Sequence, residues 1–232
     1  LDEIDLFTQV KQAVAVFNYT KSSVESNKVV KIIFTRGAGG IGYQMPETPQ
    51  ISTILQVTLA PVQIEREIDT HLPLFSQSYP MDLGLCETLC GIQPQLAGLK
   101  HLNRLENVLA RSEIVKQGFV EGLMLNAYQQ VIGGTQSNLF LIKDKNLITP
   151  LLTDSGVEGT TRYQLSQLAA SVGLTWQEST LVLTDLKQAD ELFLANAVRG
   201  IMPVKEFNQR TYLNIKTLEI HQAWSNWQRD NA

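Results

Sequence analysis

The chain has 232 residues, 44% hydrophobic and 18% charged, enough to bury one sizeable core or two modest ones in an ordinary globular protein. A net charge of −4, a pI near 5.4 and the absence of any Lys/Arg run argue against nucleic-acid binding, whose footprint is a clustered basic face. There is no apolar stretch of about 18 residues and no charged-then-apolar leader, so no membrane association is expected and the cytoplasm is the default location.

The chain starts at Leu1 and opens directly on a helical pattern, Ile4 to Asn18. Lys28 to Thr35 (KVVKIIFT) and Ile51 to Ala60 (ISTILQVTLA) are rich in β-branched residues and predict strands. Between them, Gly37 to Gly42 (GAGGIG) formally matches the dinucleotide fingerprint G-x-G-x-x-G. That fingerprint must lead straight into a helix whose N-terminus receives the pyrophosphate, and Pro46 and Pro49 break any such helix. A hairpin loop is expected instead. From Pro61 to Asp82 the pattern dissolves into a polar segment containing Pro73 and Pro80. The expected organisation is a first domain over 1–62, a linker over 63–82 and a second domain over 83–232.

The second region switches repeatedly between periods. Strands are predicted at Gly84 to Cys90, Gly122 to Asn126, Asn138 to Lys143, Thr180 to Leu183 and Glu191 to Ala195. Helices are predicted at Asn103 to Lys116 and at Thr161 to Val172, the latter with Leu165, Leu168, Ala169 and Val172 on one buried face. A C-terminal helix, Leu213 to Trp227, is expected to pack as a lid on the second domain through Leu218, Ala223 and Trp227. The fold class is therefore α/β. Cys86 and Cys90 are the only cysteines, and on an alternating apolar segment they are expected to be buried, reduced thiols on one strand face. His71, His101 and His221 are scattered without metal-ligand spacing, so no metal site is expected.

Two segments carry chemistry. Lys100 stands between a loop and the start of a helix in LAGLKHLNRLENVLAR, Leu96 to Arg111. The run Gly156-Val157-Glu158-Gly159-Thr160-Thr161-Arg162 precedes a predicted helix start, where free backbone amides favour an anion. Together with Ser137 to Phe140 (SNLF) and Phe193 to Val204 (FLANAVRGIMPV), they resemble segments of the fold-type IV, or class IV aminotransferase, family of pyridoxal phosphate (PLP) enzymes. The resemblance runs from about Lys28 to Val204. KHLNRLENVLAR looks most like the aminodeoxychorismate lyases of that family, which also holds branched-chain and D-amino acid aminotransferases.

The resemblance implies a two-domain α/β fold, a homodimer, and an N-terminal domain truncated by about fifty residues relative to the family. It implies that Lys100 attaches the cofactor and then moves a proton, with Leu96, Ala97 and Leu99 helping to desolvate its amine. Gly159, the Thr160 N–H, and the N–H and hydroxyl of Thr161 would hold the phosphate, with a second contact at Asn196 and Ala197, the latter through its amide alone. Arg36 and Tyr43, flanking the glycine-rich turn, would line the substrate pocket. The chain departs from the family at Ile41, where related enzymes often carry an arginine, and at Gly133, where they carry a glutamate that pairs with the pyridine nitrogen. The expected activity is conversion of 4-amino-4-deoxychorismate into 4-aminobenzoate and pyruvate in folate synthesis. A fold-type IV aminotransferase and a non-catalytic or truncated relative, the latter favoured by Ile41, Gly133 and the N-terminal segment expected to be missing, remain the alternatives.

Overall fold

The computed structural model describes residues 3–21, 28–60 and 80–231. The chain divides into two units, Leu1–Arg66 and Glu67–Ala232. In the first, helix α1 (Glu3–Lys21) packs on the hairpin of β1 (Lys28–Thr35) and β2 (Ser52–Leu59). These strands pair antiparallel from Lys28↔Leu59 to Thr35↔Ser52. No helix follows the GAGGIG run, in keeping with its prolines. Gly37 has φ +83°, and a Cβ there would lie 2.1 Å from Gln50 O, so the loop closes only with glycine at its base.

The second unit contains β3 (Met81–Leu85), α2 (Leu105–Lys116), β4 (Glu121–Leu125), β5 (Val131–Gly134), β6 (Asn138–Lys143), β7 (Asn146–Pro150) and α3 (Thr160–Leu168). It continues through β8 (Thr175–Ser179), α4 (Leu183–Gln188), β9 (Glu191–Asn196), β10 (Gly200–Phe207), β11 (Arg210–Thr211) and α5 (Ile215–Asp230). The strands form one mixed sheet ordered β5-β4-β3-β10-β9-β6-β7-β8, with β11 beside β10. The pairs β3–β4, β3–β10 and β7–β8 are parallel and the others antiparallel.

Both sheet faces are covered. On β6, Leu139 and Leu141 point into one core with Leu123, Leu192, Leu194 and Val204, while Phe140 and Ile142 point into the other with Leu165, Phe193, Ile220 and Trp224. Phe140 stacks on Phe193 with centroids 4.8 Å apart, and each fully buried ring contributes roughly 1.5–3 kcal/mol through burial. Gly84 and Gly122 are partners in the β3–β4 ladder. A Cβ would stand 2.8 Å from Ile114 Cδ1 at the first and 2.3 Å from Ile114 Cγ1 at the second. This paired slot lets α2, buried through Ala110 and Ile114, settle directly on the sheet.

Several expectations shift. The strand predicted at Gly84–Cys90 is β3, ending at Leu85, because Glu113 of α2 captures the backbone beyond it: Glu87 N donates to Oε1 at 2.6 Å, and Thr88 N and Oγ1 donate to Oε2 at 3.1 and 2.9 Å. Met81 and Asp82, placed in the linker from the sequence, therefore belong to the sheet, while residues 61–79 lie outside the described residues. Cys86 and Cys90 are buried and free, and burial pushes both thiols up to about 12. No strand forms at Thr180–Leu183, where Asp185 accepts a hydrogen bond from Val182 N and starts α4. The helix predicted to Val172 is α3 followed by a 3-10 turn, Ala169–Val172. On α5 the buried face is Thr217, Ile220, His221, Trp224 and Ser225, whereas Leu218 is exposed. Glu191 sets that rotation by accepting from Lys216 N (2.8 Å) and from Thr217 N and Oγ1 (both 2.7 Å).

At Glu113, burial works to raise the pKa, but the donors at Glu87 and Thr88 outweigh it and hold the carboxyl below the ordinary value near 4.5. A depressed folded-state pKa gives stability that is complete above the unfolded value and lost as pH falls through the folded one. Glu113→Gln is therefore expected to lower the urea midpoint at pH 7, with the gap to wild type closing as pH falls below about 4.5. A gap independent of pH contradicts this account.

Candidate active site

The site is built where two loops lie side by side. Gly98 N donates to Gly156 O at 3.2 Å, and Glu158 N donates to Gly98 O at 2.8 Å, forming an isolated parallel bridge between Gly98 and Val157. Two further links zip the same loops together: Gln93 N to Asp154 O at 2.7 Å and Ser155 Oγ to Gly91 O at 2.7 Å. Gly98 has φ +77° and Gly156 φ +92°, left-handed conformations that favour glycine. Lys100 follows Gly98 by two residues and Gly159 follows Val157 by two. The bridge thus brings the lysine loop and the start of α3 together.

Lys100 is exposed and forms no ion pair among the described residues. Leu99 is 56% exposed, and Leu96 and Ala97 are half-buried, so these residues flank the lysine without covering it, contrary to the desolvation expected of them. Arg104, the residue before α2, donates from Nη2 to Leu99 O and closes the loop that carries Lys100. For His101, burial and then the Arg104 charge hold the imidazole pKa below its ordinary value.

At the start of α3, Tyr163 N is the first amide to bond within the helix, donating to Gly159 O at 3.0 Å. The N–H groups of Thr160, Thr161 and Arg162 point out of the helix end, as the first amides of any helix do, where the helix dipole favours an anion. Thr161 is 3% exposed, yet its hydroxyl makes no hydrogen bond among the described residues. An unengaged hydroxyl on a largely buried side chain, beside free amides, fits an oxyanion. Arg162, 3% exposed, locks this turn in place: Nη1 meets Glu158 at 3.3 Å, Nη2 meets Glu178 at 2.8 Å, and the guanidinium lies over the Trp176 ring.

Asn196 and Ala197 lie at the β9–β10 turn. The Asn196 side chain is consumed there, its Oδ1 accepting from Val198 N (2.9 Å) and Arg199 N (2.7 Å), while Nδ2 donates to Gln136 O at 3.2 Å. The Gln136 turn leads into Asn138, whose Nδ2 donates to Val157 O at 2.8 Å. These hydrogen bonds link the segments of the second unit that carry Lys100, Gly159, Thr160, Thr161, Asn196 and Ala197. Arg36 and Tyr43 belong to the first unit, both exposed on the β1–β2 loop. The sequence reading overlooked Gly98, Arg104, Asn138 and Arg162 as site-forming residues. All four stand within the quoted motifs, Gly98 and Arg104 in Leu96 to Arg111, Asn138 in SNLF and Arg162 at the end of the Gly156 run, but nothing in the motifs marks their roles.

Gly133 is buried, and a Cβ there would lie 2.9 Å from Ser137 O. The nearby buried carboxylate, Glu121, does not replace a side chain at 133. It lies beside Gly134, which faces the opposite side of β5, and accepts from Gly122 N, Thr135 N, Thr135 Oγ1 and Ser137 Oγ. Among the described residues no group of His, Cys, Asp and Glu is arranged to hold a metal ion, and no helix is long and apolar enough to cross a membrane.

A model of the amino-transferase class IV family matches residues 3–207. The aminodeoxychorismate lyase of Vibrio harveyi is 39% identical over 175 residues, covering 75% of this chain and 61% of that protein. The chain therefore spans less than two thirds of that relative's length. A probable branched-chain-amino-acid aminotransferase of Thermotoga maritima is also 39% identical, over 114 residues, covering 49% of this chain and 41% of that protein. The crystal structure of 4-amino-4-deoxychorismate lyase from Pseudomonas aeruginosa superposes with a TM-score of 0.80 at 34% identity, covering 100% of this chain and 78% of that one. The family match over most of the chain and the likeness to both lyases agree with the fold described above, and the chain belongs to the class IV aminotransferase family of fold-type IV enzymes.

Proposed function

We propose that this chain acts as a PLP-dependent aminodeoxychorismate lyase, converting 4-amino-4-deoxychorismate into 4-aminobenzoate and pyruvate, a reaction of folate synthesis in the cytoplasm. The observation that carries the reading is the Gly98–Val157 bridge, which sets an exposed lysine beside a helix start with three free amides and an unengaged threonine hydroxyl. Lyase over aminotransferase is supported by identity and extent taken together: 39% over 175 residues for the Vibrio harveyi lyase, against 39% over 114 residues for the Thermotoga maritima aminotransferase and 30% over 192 residues for a putative branched-chain-amino-acid aminotransferase of Methanocaldococcus jannaschii.

PLP when bound supplies an electrophilic aldehyde and an electron-accepting ring. The amides of Thr160 and Thr161 and the Thr161 hydroxyl would hold its phosphate, with the Ala197 amide as a further donor. Lys100 Nζ would anchor it and, once freed by the arriving substrate amine, remove the proton from the amine-bearing ring carbon. The ether C–O bond to the enolpyruvyl group then breaks, the ring becomes aromatic, and the departing enol takes up a proton as pyruvate. Arg36 and Tyr43 would meet substrate carboxylates. At position 133 the residues do not fit as well, since glycine offers the pyridine nitrogen no carboxylate, and losing a preorganised partner of this kind costs on the order of a hundredfold in rate. Slow turnover follows.

The test is product analysis with the full chain and added PLP. Wild type is expected to release 4-aminobenzoate and pyruvate in equal amounts, and Lys100→Arg to lose about a thousandfold or more of that rate. Amino-group transfer from amino acids to keto acids, without 4-aminobenzoate, would favour the aminotransferase reading. Neither activity, in folded protein, would favour a non-catalytic relative.

A homodimer is part of the same proposal. On α2, Leu105, Val108 and Leu109 are 66%, 63% and 54% exposed, forming an apolar face at helical spacing opposite the buried Ala110 and Ile114. A second copy of the chain would cover it. Sedimentation equilibrium at micromolar concentration is expected to give the dimer mass, and replacing Leu105 and Leu109 by Glu to give monomer; a wild-type monomer mass contradicts the proposal.

A further inference from the structure

Gly159 does not owe its identity to the backbone. Its φ of −77° and ψ of 147° are open to any residue. A neighbouring side chain excludes a Cβ there: Asn138 Oδ1 would stand 2.2 Å from it. The other end of the same amide reaches back two residues, with Nδ2 donating to Val157 O at 2.8 Å. Asn138, the first residue of β6, thus grips the chain on both sides of Glu158, immediately ahead of the amides that open α3. Neighbouring Thr161, only 3% exposed yet with its hydroxyl unengaged among the described residues, gives that helix start the character of a ligand site.

We infer that Asn138 is a positioning residue for the anion cradle, holding Val157 O and the bare Gly159 Cα so that the Thr160 and Thr161 amides converge on a phosphate monoester. The inference rests on the phosphate-site reading of this segment. Asn138 occupies the space where a side chain at 159 would lie, and glycine at 159 is what admits Asn138. The two positions therefore act as one unit. Asn138→Asp preserves shape but removes the donor to Val157 O and sets a negative charge against that carbonyl and beside the cradle.

The experiment compares dissociation constants for pyridoxal 5′-phosphate and for pyridoxal, which lacks the phosphate, using the full chain and equilibrium dialysis. Wild type is expected to prefer the phosphorylated compound by about a hundredfold, charge-assisted hydrogen bonds being the strong ones. Asn138→Asp is expected to weaken pyridoxal phosphate binding at least about tenfold while changing pyridoxal binding less than about twofold. Gly159→Ala should produce the same selective loss, and adding Asn138→Gly, which vacates the space, should restore part of it. Equal loss for both compounds, or no loss for either, overturns the positioning role. Should Asn138→Asp fail to fold by circular dichroism, the Gly159→Ala pair decides by the same criteria. A wild type that does not discriminate between the compounds removes the phosphate-site reading and this inference with it.

Discussion

Gly98 exchanges two backbone hydrogen bonds with the segment ahead of α3, donating to Gly156 O and accepting from Glu158 N, and this short parallel bridge sets where Lys100 stands relative to Thr161. Backbone bonds of this kind fix distance without depending on side-chain rotamers. Their cost is the left-handed conformation at Gly98 and Gly156, which an L side chain would reach only with strain of about 1 kcal/mol or more. The lysine side chain remains exposed, so the architecture supplies placement first and leaves cover to whatever closes over the loop.

Placement in turn depends on the sheet beneath. Ile114 drops into the slot left by Gly84 and Gly122, which brings α2 onto β4 and carries the lysine loop with it. On the other loop, Arg162 is buried against Glu158, Glu178 and the Trp176 ring, so the first turn of α3 is held by charge as well as by packing. Removing one member of such a group costs more than the group contributes as a whole, because a buried charge is then left uncompensated. Asn138 joins the two systems, since its backbone belongs to the central strand β6 and its side chain to the loop.

Much of this was legible in the residues. β1 and β6 lie where the β-branched and apolar runs put them, and Lys100 and the Gly159–Thr161 run were visible as motifs. What escaped was decided by partners distant in sequence. β8 (TWQES) is a polar edge strand paired only with β7, so no apolar alternation announces it. Cys86 to Cys90 alternates like a strand but loops off β4 between the Cys86 and Cys90 amides, which bond Leu123 O and Leu125 O, because Glu113, more than twenty residues away, takes the amides of Glu87 and Thr88. The α5 periodicity admits more than one inward face, and the choice of Ile220 and Trp224 over Leu218 follows from Glu191 holding the helix start. The bridge at Gly98 leaves no trace in composition, since it is made by backbone atoms.

The central claim is that Lys100 and the start of α3 form one site for a phosphorylated aldehyde. Its most direct test is to incubate the folded chain with pyridoxal phosphate, reduce with borohydride, and locate the pyridoxyl group by peptide mass spectrometry. The account predicts a label confined to Lys100 and suppressed by inorganic phosphate. Label spread over surface lysines, or absent from Lys100 in folded protein, would contradict it and leave the family membership as a statement about architecture alone.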